Sequence, residues 1–72
     1  MLRVNYKEME WEEGLTVEGL LQKMKEEKAY QFILRGRVTV ILNNEVIPTS
    51  EYVTKRLSNS DEIRVYPVIA GG

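Results

Sequence analysis

The sequence predicts an α+β domain, with one amphipathic helix packed on a mixed sheet of four or five strands. Three observations lead there. Apolar and polar residues alternate near both ends of the chain. One stretch repeats its apolar residues at helical spacing. A middle segment, 38–42, is β-branched or apolar at nearly every position.

The elements follow in order. Residues 2–6 place Leu2, Val4 and Tyr6 on one side and Arg3 and Asn5 on the other, as a strand with one buried face does. Lys7-Glu8 reads as a tight turn, and residues 9–12 alternate again to complete a hairpin. Trp11 is expected to pack in the core or cap one end of it. Gly14 breaks the pattern. Thr16 reads as a helix N-cap, because its hydroxyl can accept from an amide that the helix leaves unpaired. Glu18 suits the positive end of the helix dipole, and Lys23, Lys25 and Lys28 suit the negative end. Val17, Leu20, Leu21 and Met24 form the apolar stripe, so the helix is placed at 17–28. Gly19 inside it costs roughly 1 kcal/mol relative to Ala, and close packing against the sheet would account for it.

Tyr30-Gln31-Phe32-Ile33-Leu34 is an apolar connector that either wraps the open end of the core or presents a sticky surface. Arg35-Gly36-Arg37 interrupts it. Strand 38–42 is apolar on both faces, as central or doubly covered strands are. Asn43-Asn44 reads as a turn, since Asn tolerates positive φ. A short strand, 45–47, ends at Pro48. Segment 50–57 holds one irregular helical turn, with Tyr52, Val53 and Leu57 expected to point inward. Ser58-Asn59-Ser60-Asp61 is a turn. The last strand, 62–68, sets Ile63, Val65 and Pro67 against Arg64, Tyr66 and Val68. If the first and last strands pair side by side at the centre, this order is the β-grasp, or ubiquitin-like, fold. The domain is expected to span 1–68, with 69–72 as a flexible tail.

Composition narrows the function. Seventy-two residues make one domain, near the lower limit for folding unaided. Hydrophobic residues are 43% and charged residues 29%, ordinary for a packed globule with a solvated surface. The chain has no Cys and no His. Thiol chemistry, Ser-His-Asp and Cys-His devices, and the usual zinc, haem and iron–sulfur sites all need one or the other. An independent enzyme is not expected. A net charge of −1, with Lys and Arg scattered among Glu, gives nucleic-acid binding no support. There is neither an apolar run of membrane-spanning length nor a signal-peptide layout, so a cytoplasmic protein without a membrane role is expected.

The tail points to chemistry done by another protein. Two side-chain-free residues, Gly71-Gly72, can thread a narrow channel and present a carboxylate at its far end. Gly72 is therefore the candidate reacting residue, with Ala70 and Gly71 as the slim neck. Recognition would come from the folded body, and the strand face bearing Arg64, Tyr66 and Val68 is the candidate partner interface.

These residues resemble a known family. Thr16-Val17 followed by Leu20-Leu21, Asn43-Asn44-Glu45-Val46-Ile47-Pro48, the turn with Asp61-Glu62, and Val68-Ile69-Ala70-Gly71-Gly72 are together similar to the ThiS/MoaD family of sulfur carriers, most of all to its thiamine-biosynthesis members. The tail and the Asn-to-Pro segment are specific; the helix start is generic. Asn44 stands where the family usually has Gly. Asn59-Ser60-Asp61 replaces the usual Asp-Gly-Asp, with Asn expected to supply the unusual backbone angles. The connector 25–37 is longer than in the shortest members.

The resemblance implies a mechanism. A ThiF-like adenylyltransferase would spend ATP and magnesium to activate the Gly72 carboxylate. Sulfur from cysteine, delivered by a desulfurase, would then leave a thiocarboxylate, and a ThiG-like thiazole synthase would accept that sulfur. The carrier itself would bind no cofactor. Three alternatives stand beside this reading. One is the small subunit of molybdopterin synthase. The second is a ubiquitin-like modifier joined to target lysines. The third is a plain interaction module.

Overall fold

The computed structural model describes residues 1–68. Five strands form one mixed sheet: β1 (Leu2–Val4), β2 (Lys7–Met9), β3 (Val38–Leu42), β4 (Glu45–Ile47) and β5 (Glu62–Pro67). Their spatial order is β2-β1-β5-β3-β4. β1 and β5 run parallel at the centre, and every other neighbouring pair is antiparallel. Helix α1 (Val17–Lys25) covers one face, followed by the four-residue α2 (Lys28–Gln31). This is the expected β-grasp arrangement.

The core lies between α1 and the sheet. Val17, Leu20 and Met24 from the helix meet Leu2, Val4, Val40, Ile63 and Val65 from the three central strands, each at 0–1% exposure. Pairing fixes which side chains share that face: Val4 opposite Ile63, Val40 opposite Val65 and Leu42 opposite Ile63. The opposite face carries Arg3, Thr39, Ile41, Val46, Arg64 and Tyr66, and among the described residues no helix covers it. β3 is thus apolar on both faces without being covered on both, since Thr39 and Ile41 stay half-exposed.

The first hairpin turns two residues earlier than expected. Asn5 and Tyr6 have φ of 49° and 70°, and Val4 pairs directly with Lys7. Two consecutive left-handed residues make the tight turn that matches strand twist. Asn5 ties this turn to β5. Its Nδ2 donates to the Val65 carbonyl at 3.1 Å, and its Oδ1 accepts from the Val65 amide at 2.8 Å. Tyr6 therefore leaves the buried side and is 68% exposed. Trp11 caps the core edge as expected, half-buried, its Nε1 donating to the Leu57 carbonyl at 2.8 Å.

α1 begins at the expected place and stops earlier. Thr16 Oγ1 accepts from the Gly19 amide at 3.1 Å, and the Val17 and Glu18 amides donate to the Lys55 and Tyr52 carbonyls. The stripe runs out after Met24, because Glu27 and Lys28 offer nothing apolar to bury. The chain takes an extended step at Glu27 and then inserts Tyr30. Gly19 faces Leu15 and Thr16 rather than the sheet: a Cβ there would meet Leu15 Cδ1 at 3.1 Å.

Tyr30, Ile33 and Leu34 of the connector pack on the core, whereas Phe32 is 74% exposed. Tyr52 and Leu57 point inward, but Val53 does not, at 70% exposed. It follows a single 3-10 turn, Thr49–Glu51, whose tight winding brings Tyr52 inward and its neighbour out. Asn43 and Asn44 take positive φ as expected. In the last turn the positive φ, 77°, falls on Ser60 and not on Asn59. Asp61 holds that turn, its Oδ2 accepting from the Ser58 amide at 2.7 Å.

Candidate functional site

β5 is paired with β1 at its start and with β3 along its length, and β3 anchors the end from which the tail departs. The last rung joins the Val68 amide to the Arg37 carbonyl at 2.9 Å. Ala70, Gly71 and Gly72 lie outside the described residues.

The two body residues expected at an interface, Arg64 and Tyr66, sit on the open face of the sheet. Register builds the rest of the patch around them. Ile41 lies opposite Arg64 on one side and Val46 on the other, and Thr39 lies opposite Tyr66. Val46 is 63% exposed, Tyr66 41% and the nearby Tyr6 68%. Exposed apolar and aromatic groups grouped around one cation are the make-up of a protein-binding surface.

Arg64 is the polar centre of this patch. Its firm hydrogen bond is to Asn44 Oδ1, at 2.7 Å. Hydrogen bonding with the Tyr6 phenol foremost, and the Tyr66 phenol beside it, raises its pKa above the ordinary guanidinium value, so it stays charged at any working pH. Asn44 can hold Arg64 because Asn43 ties the β3–β4 turn to β5. The Asn43 amide donates to the Glu62 carbonyl, its Oδ1 accepts from the Glu62 amide, and its Nδ2 donates to Asp61. The paired asparagines are thus a clamp that orients the patch.

Val68 has a different setting. It is 47% exposed and borders a groove on the helix side, with Leu34 of the connector and Leu21 of α1. The connector reaches Val68 without covering it. Tyr6, Ile41 and Val46 were not among the expected interface residues. Val46 follows from the two-residue turn that sets Ile41 opposite it, whereas Tyr6 required the true hairpin register.

Among the described residues no group of three acidic, His or Cys side chains is placed to hold a metal ion, and no helix is long and apolar enough to cross a membrane. The site can present a surface and a strand end to another protein.

The ThiS family model matches residues 2–72. Among solved structures, the chain is similar to the thiamine biosynthesis protein (ThiS) from Geobacter metallireducens. The two are 27% identical, with a TM-score of 0.73 over 99% of this chain and 97% of that one. No match is found among curated proteins.

Proposed function

The chain belongs to the ThiS family, and from that membership we propose that it is a sulfur carrier of thiamine biosynthesis, acted on by other enzymes rather than an enzyme itself. The observation that carries this reading is the Gly71-Gly72 pair, inside a family match that runs to residue 72 and a few residues beyond the central strand β5.

The chemistry follows from the carboxylate. A peptide's α-carboxyl group ordinarily has a pKa of about 3.3–3.7, so it is ionised at neutral pH and is a competent nucleophile toward an α-phosphate. In a ThiF-like adenylyltransferase it attacks the α-phosphate of ATP, with magnesium held by that enzyme, and pyrophosphate leaves. A desulfurase releases sulfur from cysteine as a persulfide, a thiol reductant that becomes a disulfide brings it to the sulfide level, and that sulfide attacks the acyl carbon and expels AMP. The product is a thiocarboxylate, which a ThiG-like thiazole synthase would draw on for the thiazole ring. The carrier needs no acid, base or metal of its own for these steps. Ala70 and Gly71 pass through the enzyme's channel, and the open sheet face with Arg64 and Tyr66 docks against its wall.

Carrier-dependent exchange of pyrophosphate into ATP, catalysed by the adenylyltransferase from the same source, tests the activation step. Exchange that requires this chain and is lost when Gly72 is removed supports the reading. Exchange that is indifferent to Gly72 contradicts it. Covalent ladders on lysate proteins would mark a modifier instead, and sulfur delivery to molybdopterin synthase but not to thiazole synthase would mark the other carrier branch.

A further inference from the structure

A groove of roughly 470 Å³ opens beside the root of the tail, on the side away from the sheet-face patch. Leu21 of α1, Leu34 of the connector and Tyr52 form apolar walls, Val68 stands at one border, and Lys25 and Arg37 supply cations. Glu18 also borders it, with its carboxylate hydrogen-bonded to Gln22 Nε2 at 3.2 Å. Among the described residues neither Lys25 nor Arg37 has an ion-pair partner. Leu34 is half-buried and Val68 47% exposed, so apolar atoms remain open to solvent next to two cations. An apolar cleft with a few polar groups at its rim is the usual make-up of a binding pocket.

The groove's position indicates what occupies it. Four residues separate Val68 from the end of Gly72, and four residues span at most about 14 Å. An enzyme that does chemistry on Gly72 must therefore come within that distance of Val68, and its channel mouth must lie against whatever borders Val68. We infer that the groove is a second docking point for the adenylating enzyme, seating an apolar side chain flanked by a carboxylate from the rim of the channel that takes the tail. The inference rests on the carrier reading above. The apolar side chain would cover the exposed parts of Leu34 and Val68 over a floor of Leu21 and Tyr52, and the carboxylate would meet Lys25 and Arg37. Contacts on both sides of β5, the sheet face and this groove, would fix the direction in which the tail enters.

Steady-state adenylation by the enzyme from the same source tests this with two variants. Lys25→Glu/Arg37→Glu reverses two exposed charges, and Leu34→Asp spoils the apolar wall. Circular dichroism checks that each folds. The expected result is a KM for the carrier raised about tenfold or more in both, with kcat within about twofold, because a docking contact away from the reacting atoms is lost equally from ground and transition states. The double charge variant should also lose most of the salt dependence of association. It keeps the test decisive if Leu34→Asp does not fold. In parallel, ¹⁵N-labelled carrier titrated with the enzyme should shift the amides of Leu21, Lys25, Leu34 and Arg37. Unchanged KM in the charge variant, or shifts confined to the sheet face, overturns the groove while leaving the carrier reading intact. Groove shifts that depend on the carrier's own concentration without enzyme assign the groove to a second copy and overturn it as well. Failure of the wild-type chain to be adenylated removes both readings together.

Discussion

Asn5 replaces a rung of backbone with a side chain. The parallel ladder between β1 and β5 runs through the Arg3 amide to the Asp61 carbonyl and the Asn5 amide to the Ile63 carbonyl. The chain then turns away, and the Asn5 carboxamide completes the next rung by donating to and accepting from Val65. Its φ of 49° adds a second demand that Asn meets better than most residues. Asn5→Ala should cost roughly 3 kcal/mol, about 2 for the two part-buried bonds and about 1 for the left-handed backbone. Asn5→Gly should recover only that last part, and urea denaturation of the two variants would measure the difference. Tyr30 makes a pH-dependent contribution. Burial first, and the Glu27 carboxylate second, raise the phenol's pKa above its ordinary value. The folded state therefore binds that proton more tightly than the unfolded chain. Its stabilising effect is complete below the ordinary phenol pKa of about 10 and is lost as pH rises through the higher folded value. Melting temperatures compared at pH 8 and above pH 10 should fall more for the wild-type chain than for Tyr30→Phe.

At the level of elements, α1 owes its position to its start. Thr16 caps the Gly19 amide, and the Tyr52 and Lys55 carbonyls satisfy the Glu18 and Val17 amides. Thr16→Ala should cost about 1 kcal/mol, read by the same denaturation. This helix was legible in the sequence because its signals are local: a cap, then apolar residues at 17, 20, 21 and 24, all of them buried. Its end was less legible, since nothing local marks the extended step at Glu27. The hairpin was misread because Leu2, Val4 and Tyr6 alternate just as a longer strand would. What decides it is the bond between Asn5 and Val65, which lie 60 residues apart. The same distinction runs through the candidate site. Alternation along β5 sufficed to place Arg64 and Tyr66 opposite the core-facing Ile63 and Val65. Ile41 and Val46 enter the patch only through cross-strand register, and the groove only through the packing of four separate segments.

The whole molecule is built around β5. It lies at the centre of the sheet, its Ile63 and Val65 are core, and its Arg64 and Tyr66 belong to the patch. A partner that grips the open face therefore grips the strand from which the tail departs. Tyr66→Asp, at a position 41% exposed, should leave the melting temperature within a few degrees. It should raise the adenylating enzyme's KM for the carrier by about tenfold or more, as losing a central aromatic contact does. The central claim concerns the end of that strand's continuation, and intact mass spectrometry tests it most directly. The carrier would be incubated with ATP, magnesium, a sulfide source and the adenylyltransferase from the same source, then weighed and fragmented. A mass gain equal to one oxygen replaced by one sulfur, confined to the peptide ending at Gly72, is the predicted result. An unchanged mass, with an adenylyltransferase shown to be active, would contradict the account.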